Sequence, residues 1–225
     1  SSDLFNCSIP NKIKVIQYLD ELGDSAKIIG AVNTVIIGKD RRTRGENTDG
    51  KGFVKAISDV TSIPGKKVVL FGAGGAARAI SVEMALAGAA SITILNIDDA
   101  GQELADLLNG KTPAKADFVL WNHSYRIPAD TDIVINATSV GLYPNVDQRL
   151  NMDSDTLLPH MVVADCIPNP AYTHFVKDAI ARGCHHVLPG MNMLVNQAVI
   201  AVKYWTGVDV DAEVMRNELK KVLGL

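Results

Sequence analysis

Cysteine is scarce in this chain. Cys7, Cys166 and Cys184 are all that its 225 residues contain, an odd, unclustered set that excludes a disulfide framework and fits reduced thiols in a cytoplasm. They do not combine with histidines at any metal-ligand spacing. The adjacent pair His185-His186 points its side chains apart, so it reads as surface histidines, and no metal site is expected. Long apolar runs are missing as well; the longest are strand-sized and broken by Gly, Asp or Asn, too short to span a bilayer. There is no excess of positive charge. A formal net charge of −3 gives no electrostatic reason to expect nucleic acid or an anionic membrane as partner. No basic-then-apolar signal segment, internal repeat or low-complexity stretch is visible. What is present, 47% hydrophobic and 21% charged residues, is ordinary for a soluble globular protein long enough for one large or two modest domains.

The stretch Val68 to Ile80 organises the rest. Val68 to Phe71 reads as a strand buried on both faces, Gly72-Ala73-Gly74-Gly75-Ala76-Ala77 as a tight turn, and Arg78 to Leu86 as a helix. Strand, G-x-G-x-x-A, helix is the context that a dinucleotide fingerprint requires. Gly72 permits the sharp turn, Gly74 lets backbone approach a pyrophosphate, and Ala77 lets helix and strand pack closely. The free N–H groups of the helix start favour phosphate. A second strand, Ile92 to Leu95, ends in Asn96-Ile97-Asp98-Asp99, and an acidic residue about 20 positions past the glycines is where adenosine ribose hydroxyls are held. The competing reading of these aspartates is helix capping.

Strands and helices alternate onward: helix Ala76–Ala87, strand Ile92–Leu95, helix Gly101–Leu108, strands at Phe118–Trp121, Asp132–Asn136 and Val162–Asp165, helix Thr173–Ala181, and a strand at His186–Leu188. This pattern predicts a doubly wound parallel α/β sheet that binds ligands beyond its strands' carboxyl ends, where Asn136 to Ser139 and Asp165 to Pro168 fall. Helices are expected over Met191–Thr206 and Asp211–Leu223. Ahead of the glycine-rich unit, Leu4 to Ile9 reads as a strand ended by Pro10, and Asn11 to Leu22 as an amphipathic helix closed by Gly23-Asp24. Ala31 to Ile37 reads as a strand that returns through Thr43-Arg44-Gly45 as a hairpin. Asn47-Thr48-Asp49-Gly50 caps a helix through Phe53, Val54 and Ile57, and taken alone Asp49 reads as a capping residue. The domain boundary is expected between Asp49 and Pro64. Residues 50–191 then form the dinucleotide-binding domain, leaving residues 1–49 and the helices expected in 192–225 outside it.

Several segments together resemble the shikimate dehydrogenase family: Asn6-Cys7-Ser8-Ile9-Pro10-Asn11-Lys12, Gly30-Ala31-Val32-Asn33-Thr34, Asn47-Thr48-Asp49-Gly50, Gly72-Ala73-Gly74-Gly75-Ala76, Asn136-Ala137-Thr138-Ser139-Val140-Gly141 and Met193-Leu194-Val195-Asn196-Gln197. The first of them is similar to the quinate/shikimate branch. The resemblance implies NAD(P)-linked interconversion of shikimate and 3-dehydroshikimate, or of quinate and its ketone, in a cytoplasmic enzyme acting on a small molecule, with a homodimer as one possible assembly. It implies Lys12 and Asp49 as the catalytic pair, and Ser8, Asn33, Asp49 and Gln197 as substrate ligands. Gly72 to Ala76, Asn96, Asp98, Asp99, Thr138, Ser139, Cys166, Ile167, Pro168, Asn169, Gly190 and Met193 are implied to line the cofactor.

The chemistry stands beside that resemblance. Moving a hydride off a carbon while its hydroxyl loses a proton needs a proton acceptor at that oxygen. A lysine beside a carboxylate stabilises developing oxyanion charge and shares the proton. Amides suit a polyhydroxylated ring because each donates and accepts. The sequence departs from the family pattern in three ways. The family begins with further βα units carrying a Ser-x-Ser carboxylate grip, which has no counterpart from Ser1 onward, so the chain is expected to start inside the substrate domain. Pro168 stands where the family usually has Tyr, which is expected to alter the floor of the substrate pocket. Asn96 to Asp99 lacks the arginine of the NADP pattern, so NAD is the expected cofactor, with NADP the alternative. Other readings are a paralogue acting on a related cyclohexene acid such as an aminoshikimate, and a cofactor-binding regulator without turnover.

Overall fold

The computed structural model describes residues 3–8 and 10–223. Its front part is a four-stranded sheet in the order β1-β3-β4-β2, with β1 at Asp3–Asn6, β2 at Glu21–Leu22, β3 at Thr34–Ile37 and β4 at Thr43–Glu46. The β3–β4 hairpin is antiparallel, as its β-branched pattern and Gly38 turn lead one to expect. β1 is shorter than the expected strand, and Ile9 lies outside the described residues.

The helix expected over Asn11 to Leu22 does not form as one unit. A single turn, α1 at Asn11–Lys14, passes into a 3₁₀ turn at Val15–Tyr18, and the chain then straightens into β2. The apolar residues in this stretch do not share one buried face: Ile13 is 70% and Tyr18 76% exposed, whereas Val15, Ile16, Leu19 and Leu22 pack on Ala26, Val32 and Val35. Asp20 fixes the exit by accepting hydrogen bonds from the Thr43 N–H at 2.7 Å and the Thr43 hydroxyl at 2.9 Å. That clamp brings Glu21-Leu22 alongside Arg44-Gly45 in parallel register. Gly23 and Asp24 close nothing; they open a short helix, α2 at Asp24–Ile29, whose end is turned by Gly30.

Helix α3, Thr48–Ser58, leads to the larger sheet. There β5 (Lys67–Phe71), β6 (Ser91–Asn96), β7 (Lys115–Leu120), β8 (Ile133–Asn136), β9 (Val162–Asp165) and β10 (His186–Leu188) lie in the order β10-β9-β8-β5-β6-β7, every pair parallel. Between them run α4 (Gly75–Leu86), α5 (Ala100–Lys111) and α6 (His174–Ala181), followed by α7 (Met191–Thr206) and α8 (Ala212–Leu223). The expected doubly wound fold is present.

Alternate residues of each central strand feed opposite layers, which is why these strands read as continuous apolar runs. Val68, Leu70, Ile92, Ile94, Ile133 and Ile135 face a core shared with Ile57 of α3 and Ile80 and Met84 of α4. Val69, Phe71, Leu95, Val134 and Val163 face a second core with Phe175 of α6, where Phe71 stacks against Trp121 with ring centroids 5.1 Å apart. Each such side chain, fully buried, stabilises by about 1.5–3 kcal/mol. Helix α7 returns across the molecule and packs along α3, so closely that a Cβ on Gly52 would lie 2.5 Å from the Gln197 backbone nitrogen.

Candidate active site

Lys12, in α1, and Asp49, in the first turn of α3, meet although 37 positions separate them: the Lys12 Nζ donates to Asp49 Oδ2 at 2.6 Å. Asp49 does not cap its helix. Asn47 does, its side-chain oxygen accepting from the N–H groups of Asp49 at 3.1 Å and Gly50 at 3.3 Å, which leaves the Asp49 carboxylate available to turn toward Lys12. The second Asp49 oxygen accepts from the Asn33 side-chain amide at 2.9 Å. Both members of the pair are largely but not fully enclosed, at 30% and 21% exposure.

The pair occupies the wall between two cavities. One, of about 420 Å³, is lined on its polar side by Asn6, Ser8, Lys12, Asn33, Asp49 and Gln197, and on its apolar side by Leu194, Val202 and Trp205 among others. The other, of about 400 Å³, is lined by Lys12, Asp49, Asn47, Gly75, Ala76 and Met193 with neighbouring apolar groups. Lys12 and Asp49 line both.

Among the expected substrate ligands, Ser8 faces the first cavity from an exposed position. Gln197 reaches it from α7, accepting from the Thr48 hydroxyl at 3.3 Å and donating to the Leu194 carbonyl at 3.1 Å. Asn33 lines it too, yet its amide is engaged inside the protein. Its NH₂ donates to Thr48 Oγ1 and Asp49 Oδ1, both at 2.9 Å, and its oxygen accepts from the Thr48 N–H at 2.8 Å. In this arrangement Asn33 holds Asp49 in place. Asn6 sits in the motif with Ser8 and Lys12, and nothing in that motif marks it as a ligand. It lines the cavity and donates to the Asn33 carbonyl and to Thr34 Oγ1.

The glycine-rich turn lies at the switch point of the larger sheet, between β5 and β8, from which successive strands are laid down in opposite directions. Gly72 has φ +104°, and a Cβ there would lie 2.8 Å from the Ala137 carbonyl, so no other residue fits without strain. Gly74 and Gly75 instead face open space, and α4 starts with no side-chain cap. Uncapped N–H groups beside open glycines suit a pyrophosphate. At the end of β6 the two aspartates part company. Asp98 accepts from the Asn96 amide at 2.6 Å and the Ala100 N–H at 3.1 Å, so its carboxylate satisfies the first N–H of α5; Asp99 holds the N-cap position, but its exposed side chain makes no capping hydrogen bond. These features fit a dinucleotide.

Thr138 and Ser139 follow β8, and Cys166, Ile167, Pro168 and Asn169 follow β9, side by side at the carboxyl ends of neighbouring strands. Gly190 opens α7 against the Ile167 carbonyl. Met193 reaches the second cavity, whereas Pro168 lines neither. Burial and the neighbouring Asp165 push the Cys166 thiol up to about 12, which makes it inert at neutral pH. Among the described residues no group of His, Cys, Asp or Glu could hold a metal ion, and no helix is long and apolar enough to cross a membrane.

Residues 4–35 match the model of the shikimate dehydrogenase substrate binding domain, and residues 190–220 that of the shikimate 5'-dehydrogenase C-terminal domain. Shikimate dehydrogenase (NADP(+)) of Methanobrevibacter smithii is 40% identical over 223 residues, covering 98% of this chain and 78% of that protein. The chain belongs to the shikimate dehydrogenase family. Solved structures similar to this family member include the ligand-free 5-ketofructose reductase of Gluconobacter sp. strain CHM43, at 49% identity and TM-score 0.93, covering 97% of this chain and 78% of that one. Shikimate 5-dehydrogenase of Listeria monocytogenes, solved with shikimate and NAD, matches at 32% identity and TM-score 0.85, covering 98% and 77%.

Proposed function

We propose that the protein is a nicotinamide-dinucleotide-dependent oxidoreductase that interconverts a polyhydroxylated secondary alcohol and its ketone, with shikimate or quinate as substrate class. One observation carries this reading: Lys12 and Asp49 are hydrogen-bonded to each other and line both the polar cavity and the cavity that opens on the glycine-rich turn. A bound nicotinamide supplies the hydride acceptor or donor. The protein's own part is to place the alcohol oxygen within reach of Lys12 Nζ and to manage its proton there. In the reductive direction the Lys12 ammonium gives its proton to the ketone oxygen as negative charge builds there and is reprotonated from solvent; in the oxidative direction the Asp49 carboxylate accepts the alcohol proton while Lys12 stabilises the alkoxide. Asn33 holds Asp49 for this exchange. Asn6, Ser8 and Gln197 offer the flanking hydroxyls groups that both donate and accept.

In this reading residues 50–191 form the cofactor domain, and residues 1–49 with 192–225 belong to the substrate side. The open glycines receive the pyrophosphate and Asp99 receives the adenosine ribose, which favours NAD. Thr138, Ser139 and residues 166–169 border the nicotinamide half. We place the enzyme in the cytoplasm, with a homodimer as one assembly open to it. A second reading of the substrate has its own support: 5-ketofructose reductase matches at 49% identity against 32% for the shikimate-bound enzyme. A ketose and a dehydroshikimate share a ketone with a hydroxyl on a neighbouring carbon.

The test is a spectrophotometric assay of the purified protein with shikimate, quinate and 5-ketofructose, each with both nicotinamide cofactors. Turnover of a cyclohexane or cyclohexene acid supports the first reading. Turnover of 5-ketofructose alone supports the second. No cofactor-dependent turnover of any of them removes both substrate readings and leaves a paralogue acting on another cyclohexene acid or a dinucleotide-binding regulator.

A further inference from the structure

Asp165 has no place in the chemistry above, yet it is among the most enclosed charged residues of the protein, with 1% of its surface exposed. It ends β9, and its side chain is saturated with donors from three different segments. Oδ1 accepts from the Asn136 side-chain amide at 3.1 Å and from the Ile167 N–H at 2.9 Å; Oδ2 accepts from the Thr173 hydroxyl at 2.6 Å. Each partner passes the constraint on. The Asn136 oxygen accepts from both the N–H, at 3.0 Å, and the hydroxyl, at 2.7 Å, of Thr138, which shapes the loop after β8. Thr173 is the N-cap of α6, accepting from the Val176 N–H at 3.3 Å. The Ile167 carbonyl occupies the space where a Cβ on Gly190 would be, 2.2 Å away, so the loop after β9 is seated against the start of α7. One buried carboxylate therefore ties the loops after β8 and β9 to α6, and through Ile167 and Gly190 to the helix that carries Gln197.

We propose that Asp165 is a positioning residue for the nicotinamide half of the site. It sets the spacing of the Thr138 loop and the 166–169 loop, and it acts only through them. Desolvating a carboxylate is expensive, so one at 1% exposure has to be offset by what it holds. The carboxylate offers two acceptor oxygens and no donor, so it holds all three donors at once. An asparagine has one acceptor oxygen and must turn an NH₂ against Thr173 on one side or against Ile167 and Asn136 on the other. The inference rests on the dinucleotide reading given above, and it makes a demand of its own: disturbing Asp165 should affect the nicotinamide end of the cofactor and spare the adenosine end, which lies at Asn96 to Asp99.

The experiment compares binding of NADH with binding of ADP-ribose, which lacks the nicotinamide, together with kcat, in Asp165→Asn, Thr173→Val and Thr173→Ser. Asp165→Asn and Thr173→Val should weaken NADH about 10-fold and lower kcat about 10- to 100-fold, the range for losing a hydrogen bond to a charged group. ADP-ribose affinity should stay within about 2-fold, because its contacts are untouched. Thr173→Ser keeps the hydroxyl and should restore NADH binding and kcat, even if its melting temperature is lower. If Asp165→Asn does not fold, the Val and Ser pair at position 173 decides alone. Equal losses for NADH and ADP-ribose, or Val and Ser variants that behave alike, overturn the proposal. Wild-type protein that binds neither ligand overturns the dinucleotide reading and this proposal with it, whereas wild-type binding with no selective loss overturns this proposal only.

Discussion

At the scale of the residue, the site is a set of side chains relieved of other duties. Asp49 opens a helix yet is free for chemistry because Asn47 takes the capping, and Asn33 then fixes which way its carboxylate points. Lys12→Ala should lower kcat by about 10²–10⁴ with a smaller change in KM, as expected of a proton-handling group, and Asp49→Asn should do the same. Steady-state kinetics on the purified variants decide this; a variant with unchanged kcat does not handle the proton. Asp165 yields a prediction of a different kind. Burial outweighs its hydrogen bonds and pushes its carboxyl from 3.8 up to about 6. Between those values the folded protein keeps a proton that the unfolded chain has released. Its contribution to stability is thus full below about pH 4 and lost as pH rises through about 6, up to about 3 kcal/mol in all. Asparagine does not titrate. The melting temperature of the wild type minus that of Asp165→Asn should therefore shrink between pH 4.5 and pH 7, and a gap that widened with pH would contradict the assignment.

At the scale of the element, the larger sheet was legible because its central strands are buried on both faces and three of its five connections are the helices α4, α5 and α6. Val68 to Phe71 with Gly72 to Ala77 is the clearest case, since Gly72 alone tolerates both φ +104° and the nearby Ala137 carbonyl. The region before β3 was not legible in the same way. Its apolar residues suggested one helix over Asn11 to Leu22, but their partners are distant in sequence. The Asp20–Thr43 clamp that ends the helical turn spans 23 positions, and no local pattern announces it. Helix α2, Asp24–Ile29, is too short to establish a period in the sequence. In the site, Lys12 and Asp49 could be named from their motifs, while the holding role of Asn33 and the place of Asn6 required the fold. The β6–α5 junction separates what the sequence left joined: the Asp98 carboxylate is spent on the first N–H of α5 and that of Asp99 is not. Asp99→Ala should therefore weaken NAD binding and narrow the difference between NAD and NADP, whose extra phosphate a carboxylate repels. Calorimetric titration with both cofactors measures this. If wild-type protein bound NADP as tightly as NAD, as the NADP(+)-named relative from Methanobrevibacter smithii invites one to ask, Asp99 would not be the ribose ligand.

At the scale of the whole molecule, the two sheets are joined through α3 and α7. Asp49 projects from one of these helices and Gln197 from the other, so the contact that joins the halves also fixes two sides of the polar cavity. Gly52 sets how closely they approach, with the Gln197 backbone where its Cβ would be. Gly52→Ala must push the helices apart, at a cost of about 1–3 kcal/mol for an overpacked contact. Thermal denaturation should register the loss, and KM for the alcohol should rise more than KM for the cofactor, because Gln197 moves and the glycine-rich turn does not. Equal changes in the two KM values would place Gln197 outside the alcohol site.

The chain has only two tryptophans, and the fold has put them in different settings. Trp205 stands in the wall of the polar cavity, while Trp121 is stacked on Phe71 with its indole N–H held by the Asn151 carbonyl at 2.8 Å. The protein therefore carries its own pair of optical reporters. Emission from Trp205 should shift when an alcohol fills the cavity, and that from Trp121, packed against the second core away from that cavity, should not. With Trp205→Phe the alcohol-induced change should vanish, so that occupancy of the polar cavity can be followed by light alone, with no label attached and no turnover required.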